Sequence, residues 1–274
     1  MNDAADIKAN FDACLAEIRQ HDHDRFLSLL LAPADKRPAL LALYAFNLEI
    51  ARIPETVSEP MMGMIRLQWW REVLEGLDAG ETRGHHVAVA LAEARRHVDM
   101  PLSALSALVD IRERDLDEEP FEDMAALEAY ARATSGQLMM LAAMGLGGEA
   151  AGQTHRNAIE HAGIAFGLTG MLRALPAKAA QGHVMLPVDL MRRHDLDPHG
   201  ILQGRMSEAL GAAMREVGGA AREHLAAARP RLPALLPASL CDRYLDIMLA
   251  DGFDPFRDRA EVPAFRRQLR LLGR

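Results

Sequence analysis

The sequence predicts an all-α fold, and three observations support this prediction. Apolar residues recur at helical spacing along nearly the whole chain. The alternating runs bounded by turn residues that are typical of strands are absent from the sequence. Alanine and leucine, which are strong helix formers, dominate the candidate helices. Because helical chains of this size often stay undivided, we expect one domain over residues 1–274.

Prolines mark the ends of two of the first three predicted helices. One helix is expected over residues 4–21, and a second from about residue 35, because Pro38 suits a first helical turn. Pro54 disturbs the end of this second helix. A third helix, long and buried, is expected over residues 60–77, where apolar residues form a broad stripe before a glycine-containing loop.

Glycine and proline residues separate the remaining helices. Helices are expected near residues 87–98, 101–116, 122–146, 155–175, 188–194, 206–229 and 238–250, and a short last one from Pro263. The main interruption is a loop over residues 176–187.

Composition and charge exclude several classes of protein. A formal charge of -8 argues against binding to nucleic acid, which needs a basic surface that the sequence lacks. No apolar run approaches the roughly 20 residues of a membrane-spanning helix. The acidic N-terminus lacks the layout of a targeting peptide, so we expect a cytoplasmic protein. Cys14 and Cys241 lie far apart without metal-type spacing, which indicates reduced cysteines.

Residues 37–77 contain the first of three family motifs. They read RPALLALYAFNLEIARIPETVSEPMMGMIRLQWWREVLEGL. Squalene and phytoene synthases have an ALYAF helix, then an aspartate-rich segment, then an RLxWWREEL helix. The order of these parts makes the stretch resemble the first catalytic region of that family.

A second stretch, residues 163–187, reads GIAFGLTGMLRALPAKAAQGHVMLP and resembles the family's GxAxQLTNxLRDVxEDxxxGRxYLP without a gap. Gly167 and Gly170 stand where the family has glutamine and asparagine. A third, weaker likeness joins YARATSGQL, residues 130–138, to the family's YCxxVAGxVG helix. The resemblance is strongest over residues 24–250 and implies a helical bundle of the isoprenoid-synthase type.

The resemblance also implies a metal-dependent reaction. In this family, magnesium ions draw the diphosphate from one prenyl diphosphate, and two prenyl chains are joined head to head. Magnesium binds through carboxylates together with substrate phosphates. Aspartates four residues apart present their carboxylates on one face of a helix, toward that diphosphate.

Most of these carboxylates are missing from the chain. The family's aspartate positions fall at Ala51 and Glu55 in the first region, and at Ala174 and Lys178 in the second. Alanine offers no ligand and lysine adds a positive charge, so Glu55 is the one remaining candidate metal ligand. We therefore expect that the magnesium cluster does not assemble as it does in the active enzymes.

The departures resemble one branch of the family, which includes the mitochondrial complex I assembly factor 6. That branch is similar in Ala45-Phe46-Asn47, in Thr56-Val57-Ser58 and in Leu172-Arg173-Ala174-Leu175-Pro176. The interpretation is a squalene/phytoene synthase-like protein that does not condense prenyl diphosphates and acts in respiratory complex I assembly. Two alternatives stay open: an active prenyltransferase with rearranged ligands, and a carrier of isoprenoids or lipids.

The resemblance implies substrate-binding positions at Tyr44, Asn47, Arg52, Tyr130, Gln137, Arg173 and Lys178. One interpretation is that Lys178, with Arg173 and Arg52, holds an anion directly. The other is that Lys178 is solvated in the loop over residues 176–187. We expect no cofactor, and magnesium only if the chain is an enzyme. The expected partners are a prenyl diphosphate or another lipid, subunits of a membrane complex, or a membrane surface, which would place the protein at the periphery of the inner membrane.

Two further signals allow more than one interpretation. The histidines of His85-His86 lie where the family often has His-Pro, which favours positioning of a loop over catalysis. Residues 265–272 form a short, basic, amphipathic segment that either rests on an anionic membrane or packs Phe265, Leu269 and Leu272 on the bundle.

Overall fold

The computed structural model describes residues 4–117, 119–228 and 233–272. Helices account for all of the regular secondary structure in these three ranges, which contain no strand. The predicted all-α fold is confirmed. None of the helices in the described part of the chain is both long enough and apolar enough to cross a bilayer.

The α-helices follow one another in the order α1 Ala4–His21, α2 His23–Leu30, α3 Arg37–Ala51, α4 Pro60–Asp78, α5 His86–Arg95, α6 Leu102–Ile111, α7 Met124–Ala131, α8 Gln137–Thr154, α9 Arg156–Ala180, α10 Val188–Arg193, α11 Pro198–Leu202, α12 Glu208–Ala227, α13 Cys241–Met248 and α14 Ala264–Leu272. Short 3₁₀ helices cover Ile53–Thr56, Arg112–Leu116, Pro233–Leu235 and Pro237–Leu240, and a π-helix covers Arg132–Gly136.

The described residues group into two compact units. Unit 1 contains residues 4–117, 137–156 and 233–234, and unit 2 contains residues 119–136, 157–228 and 235–272. The expectation of one domain stays a prediction.

Helix α3 is the central helix of unit 1. It is apolar on all sides, as a helix enclosed by others must be, and residues 39–48 are all buried. Helices α1, α5 and α8 pack against it. Pro38 lies in its first turn, as predicted. Pro54 has no N–H to donate, so α3 ends at Ala51 and the chain continues as a 3₁₀ helix.

Three sequence predictions differ from the structure in unit 2. The helix expected over residues 122–146 is interrupted by the π-helix, where Gly136 packs closely against Gly163 of α9. A Cβ atom on Gly163 would lie 2.2 Å from the Cα atom of Gly136, so the contact depends on bare backbone. The loop expected over residues 176–187 begins later, because α9 continues through Pro176 to Ala180. Backbone hydrogen bonds sustain that last turn, including one of 2.9 Å from the N–H of His183 to the carbonyl of Lys178.

The third difference concerns α14. Phe265, Leu269 and Leu272 are 59%, 64% and 67% exposed, so the prediction that they pack on the bundle is wrong. Leu271 is buried instead, and Nε of Arg270 donates to the carbonyl of Ser239 at 3.3 Å. These two contacts fix the rotation of the helix and turn the other three apolar side chains outward.

Candidate functional site

The first candidate metal segment lies at the end of α3. Ala51 is the last residue of that helix, and Glu55 lies in the 3₁₀ helix that follows. The side chain of Glu55 is 44% exposed, and its Oε2 lies 3.6 Å from Nε of Arg52. The carboxylate that remains at the family's positions is therefore paired with a cation of its own segment.

Two predicted substrate-binding residues of α3 lie in the interior of unit 1. Burial raises the pKa of Tyr44 to about 12, and the guanidinium of Arg25 lies 5.7 Å from the centre of its ring. Asn47 is also buried, and its Oδ1 accepts a hydrogen bond of 3.2 Å from Nη2 of Arg112. The structure thus gives both side chains partners within the protein, and their role toward a substrate stays a prediction.

The second candidate segment lies on α9 in unit 2. Arg173 is exposed, and its guanidinium lies 3.8 Å from the centre of the Tyr244 ring, at cation–π distance. Lys178 lies in the last turn of the helix, where its Nζ donates to Oε1 of Gln181 at 3.4 Å. Ala174 is half-buried. Lys178 is therefore on a helix, and not in the loop where the sequence placed it.

The two glycines of α9 at the family's polar positions have different surroundings. A Cβ atom on Gly167 would lie 2.8 Å from Cβ of Ala131 and 3.2 Å from its Cα. A Cβ atom on Gly170 would meet no heavy atom within 4 Å. A side chain fits at Gly170 but has no room at Gly167.

The remaining two predicted binding residues are Tyr130 and Gln137. Tyr130 is buried in α7, with its ring centre 5.2 Å from that of Phe121 in unit 2. Gln137 is half-buried at the first residue of α8 in unit 1.

Unit 1 contains a cavity of about 300 Å³ beside the end of α3. It is lined by Glu49, Arg52, Ile53, Thr56, Arg66, Trp69, Trp70 and His85. The ring of His85 meets both tryptophan rings edge-on, with centres 5.4 Å apart in each case. Burial, and then the neighbouring His86, lower the pKa of His85, which favours its neutral form. The cavity therefore combines two arginines and the carboxylate of Glu49 with aromatic faces.

Sequence reasoning named one residue of this lining, Arg52, as a binding residue. It missed Glu49 and Arg66, and it assigned His85 to loop positioning. Glu49 lies two residues before Ala51 in the same motif, and Arg66 begins the RLQWWRE run. Both residues lie in the first family motif, so the signal available was the set of polar residues in that motif outside the aspartate positions.

A family model described as squalene/phytoene synthase matches residues 18–266 of the chain. The chain belongs to the squalene/phytoene synthase family. The match includes both candidate segments, α3 and α9, and agrees with the resemblance found in their motifs.

Curated relatives in the squalene/phytoene synthase family include proteins of two kinds. The chain is 32% identical over 190 residues to the NADH dehydrogenase (ubiquinone) complex I assembly factor 6 of Homo sapiens, a match that covers 69% of this chain and 56% of that protein. It is 29% identical over 168 residues to the phytoene synthase of Mycobacterium tuberculosis, a match that covers 61% of this chain and 54% of that protein. The chain thus matches little more than half the length of these relatives.

Solved structures of the squalene/phytoene synthase family share the fold. A dehydrosqualene synthase superimposes with a TM-score of 0.83 at 17% identity, over 97% of this chain and 95% of that one. The squalene synthase HpnC from Alicyclobacillus acidocaldarius superimposes with a TM-score of 0.75 at 16% identity, over 90% of this chain and 94% of that one. The predicted isoprenoid-synthase type of bundle is confirmed.

The side chains at the family's metal positions do not fit a magnesium cluster. Magnesium requires several oxygen ligands in octahedral geometry. Ala51 and Ala174 supply none, and Lys178 supplies a cation. Glu55 is paired with Arg52. No magnesium-dependent step follows from this set of residues.

Proposed function

We propose that this protein is a non-condensing member of the squalene/phytoene synthase family that acts in the assembly of respiratory complex I. The observation that carries the first half is the chemistry at the four family positions. Three of them hold no carboxylate, and the fourth, Glu55, pairs with Arg52 at 3.6 Å. Without clustered carboxylates, the charge that develops on a departing diphosphate has no metal to neutralise it.

The second half of the proposal rests on the relatives. Curated proteins at 32% identity are named as complex I assembly factor 6 in Bos taurus and Homo sapiens. Because fold alone does not determine function, the assembly role must be tested separately from the absence of catalysis.

The test of condensation uses purified protein with farnesyl or geranylgeranyl diphosphate, magnesium and NADPH. We expect neither squalene nor phytoene, and no release of diphosphate above the buffer control. Turnover at the rate of a working synthase would refute the proposal. If that turnover also disappears in the Glu55→Gln variant, the chain is a prenyltransferase with rearranged ligands.

The test of the assembly role is deletion of the gene in its own organism. We expect complex I activity to fall while carotenoid and hopanoid levels remain unchanged, and the wild-type gene to restore the activity. Unchanged complex I activity with a loss of those isoprenoids would refute the assembly role.

Contact with a membrane surface through α14 is part of the proposal. Phe265, Leu269 and Leu272 are exposed on this helix, beside the exposed Arg266. A short helix with apolar and cationic groups together suits the interface of an anionic bilayer. We expect the protein to sediment with phosphatidylglycerol vesicles more than with phosphatidylcholine vesicles, and the double variant Phe265→Ser, Leu269→Ser to lose this binding. Equal sedimentation of parent and variant would exclude α14 as the contact.

A second candidate function, the binding of an isoprenoid without ionising it, is favoured by the cavity of unit 1. Arg52 and Arg66 supply positive charge there, and Trp69 and Trp70 supply apolar faces. This function predicts binding of a non-hydrolysable prenyl diphosphate analogue that a chelator does not affect. The Arg66→Gln variant should weaken that binding, and an unchanged dissociation constant would count against the cavity.

A further inference from the structure

Three ligating side chains meet in unit 1 outside the family's metal positions. They are Glu17 of α1, Glu49 of α3 and His86, the first residue of α5. Each offers one oxygen or nitrogen atom, and these three atoms all lie within 4.8 Å of one another. Helices α1, α3 and α5 pack directly on each other, so the core of unit 1 holds their backbones in place.

The contact between Glu17 and His86 is too poorly aligned for a hydrogen bond. Nε2 of His86 lies 3.0 Å from Oε1 of Glu17. Nε2 of His86 and Oε2 of Glu17 are nevertheless buried atoms without a hydrogen-bond partner in the described residues. Buried polar atoms without partners are costly, and such atoms indicate a missing water or ion. Two ligands held about 2.1 Å from one tetrahedral ion lie roughly 3.4 Å apart, so this contact need open by only about 0.4 Å to hold such an ion.

The charge of the cluster also favours a cation. The carboxylates of Glu17 and Glu49 are both half-buried in this cluster. Two carboxylates in one partly buried place repel each other unless a positive charge lies between them. A divalent ion supplies that charge. The ligand atoms now lie up to 4.8 Å apart, and rotation of the Glu17 and Glu49 side chains can bring them within reach of one ion.

We propose that Glu17, Glu49 and His86 bind a divalent transition-metal ion of the Zn²⁺ class. One imidazole with two carboxylates is a donor set that suits Zn²⁺ better than Mg²⁺, which prefers oxygen alone. Glu49 also lines the cavity of unit 1, so the ion lies beside that cavity. The site stands independently of the role in complex I assembly.

The test measures metal content and affinity on the full chain. After dialysis against chelator, we expect the protein to bind about one Zn²⁺ per chain in calorimetry, and Co²⁺ to give a visible spectrum that Zn²⁺ abolishes. His86→Gln and Glu49→Gln should each weaken Zn²⁺ binding by at least about tenfold, since even the loss of a group that supports a ligand costs 10–100-fold. Mg²⁺ at the same concentration should not compete.

Two matched controls separate the site from other binding. Nε2 of His97 lies 3.1 Å from Glu93 in an exposed pair, so His97→Gln removes a similar pair elsewhere and should leave Zn²⁺ affinity unchanged. Glu55→Gln tests the family's own position and should also change nothing. Binding that survives His86→Gln, or that disappears with Glu55→Gln, would overturn the proposal.

The thermal midpoint distinguishes a metal site from a simple ion pair. If the cluster binds metal, Zn²⁺ should raise the thermal midpoint of the parent, and the same Zn²⁺ concentration should raise that of Glu49→Gln much less. If Glu17 and His86 form only an ion pair, Zn²⁺ would not raise the thermal midpoint of the parent. That result would overturn the proposal even if every variant folds.

Discussion

Replacing Gly167 with alanine is expected to destabilise the protein relative to the same change at Gly170. Both glycines lie within α9, and alanine is preferred over glycine in a helix interior by about 1 kcal/mol. That preference applies to both variants and cancels when they are compared. The comparison therefore isolates the effect of the added methyl group.

The magnitude follows from the surroundings of each methyl group. At Gly170 the methyl group meets no heavy atom within 4 Å, so this variant should gain about 1 kcal/mol of stability. At Gly167 the methyl group lies 2.8 Å from Cβ of Ala131, which is overpacking and costs about 1–3 kcal/mol. The Gly167→Ala variant should therefore be less stable than the Gly170→Ala variant by about 1–3 kcal/mol.

Urea denaturation followed by far-UV circular dichroism measures the two free energies of unfolding. The slopes of the transitions should agree, since a single methyl group changes little of the surface exposed on unfolding. If Gly167→Ala proves as stable as Gly170→Ala, the close approach of α7 and α9 described for unit 2 is refuted.

Three other predictions concern stability and reactivity. Phe46 is 0% exposed, so Phe46→Ala should lower the free energy of unfolding by about 3–5 kcal/mol. Phe265 is exposed, so Phe265→Ala should change that free energy by less than about 0.5 kcal/mol. Cys14, with a pKa raised by burial to about 12, should resist iodoacetamide in the native protein near pH 8 and react in urea, as mass spectrometry can establish. Hydrogen bonds from His194 and Arg193 lower the pKa of Glu216. The ionised Glu216 should therefore make its full, small contribution to stability above the ordinary carboxyl pKa. That contribution should be lost as the pH falls through the lowered pKa. In a plot of thermal midpoint against pH, the Glu216→Gln variant should show a smaller fall at acidic pH than the parent. An equal fall in both proteins would count against the interaction.

Local periodicity was enough to predict most of the helices. The helix expected over residues 4–21 ends at its predicted residue, His21, and the third helix ends one residue beyond its prediction. Apolar spacing and proline positions are local signals. A helix buries one face through residues within a few turns of each other, so these local signals are enough to predict it. Helix α2 was missed because it is short, although Asp22 caps it by accepting a hydrogen bond of 3.2 Å from the N–H of Arg25.

Features that depend on contacts between distant segments were not predictable in this way. The π-helix is packed through Gly136 and Gly163, which carry no side chain and so leave no mark on hydrophobic patterning. The cluster of Glu17, Glu49 and His86 joins three helices that are far apart in sequence. The family's motifs directed attention to Ala51 and Glu55, whereas Glu49 faces the neighbouring cluster and cavity.

The packing at Gly167 also bears on whether the family's chemistry could be restored. Glutamine belongs at this position in the synthases, yet its first carbon would collide with Ala131 unless α7 moved. Asparagine at Gly170 would meet no such obstacle at its first carbon. Restoring the family's two polar residues one at a time would therefore have unequal costs, because only a side chain at Gly167 meets Ala131. The packing of α7 on α9 therefore opposes the family's glutamine at residue 167, whatever residues stand at the metal positions.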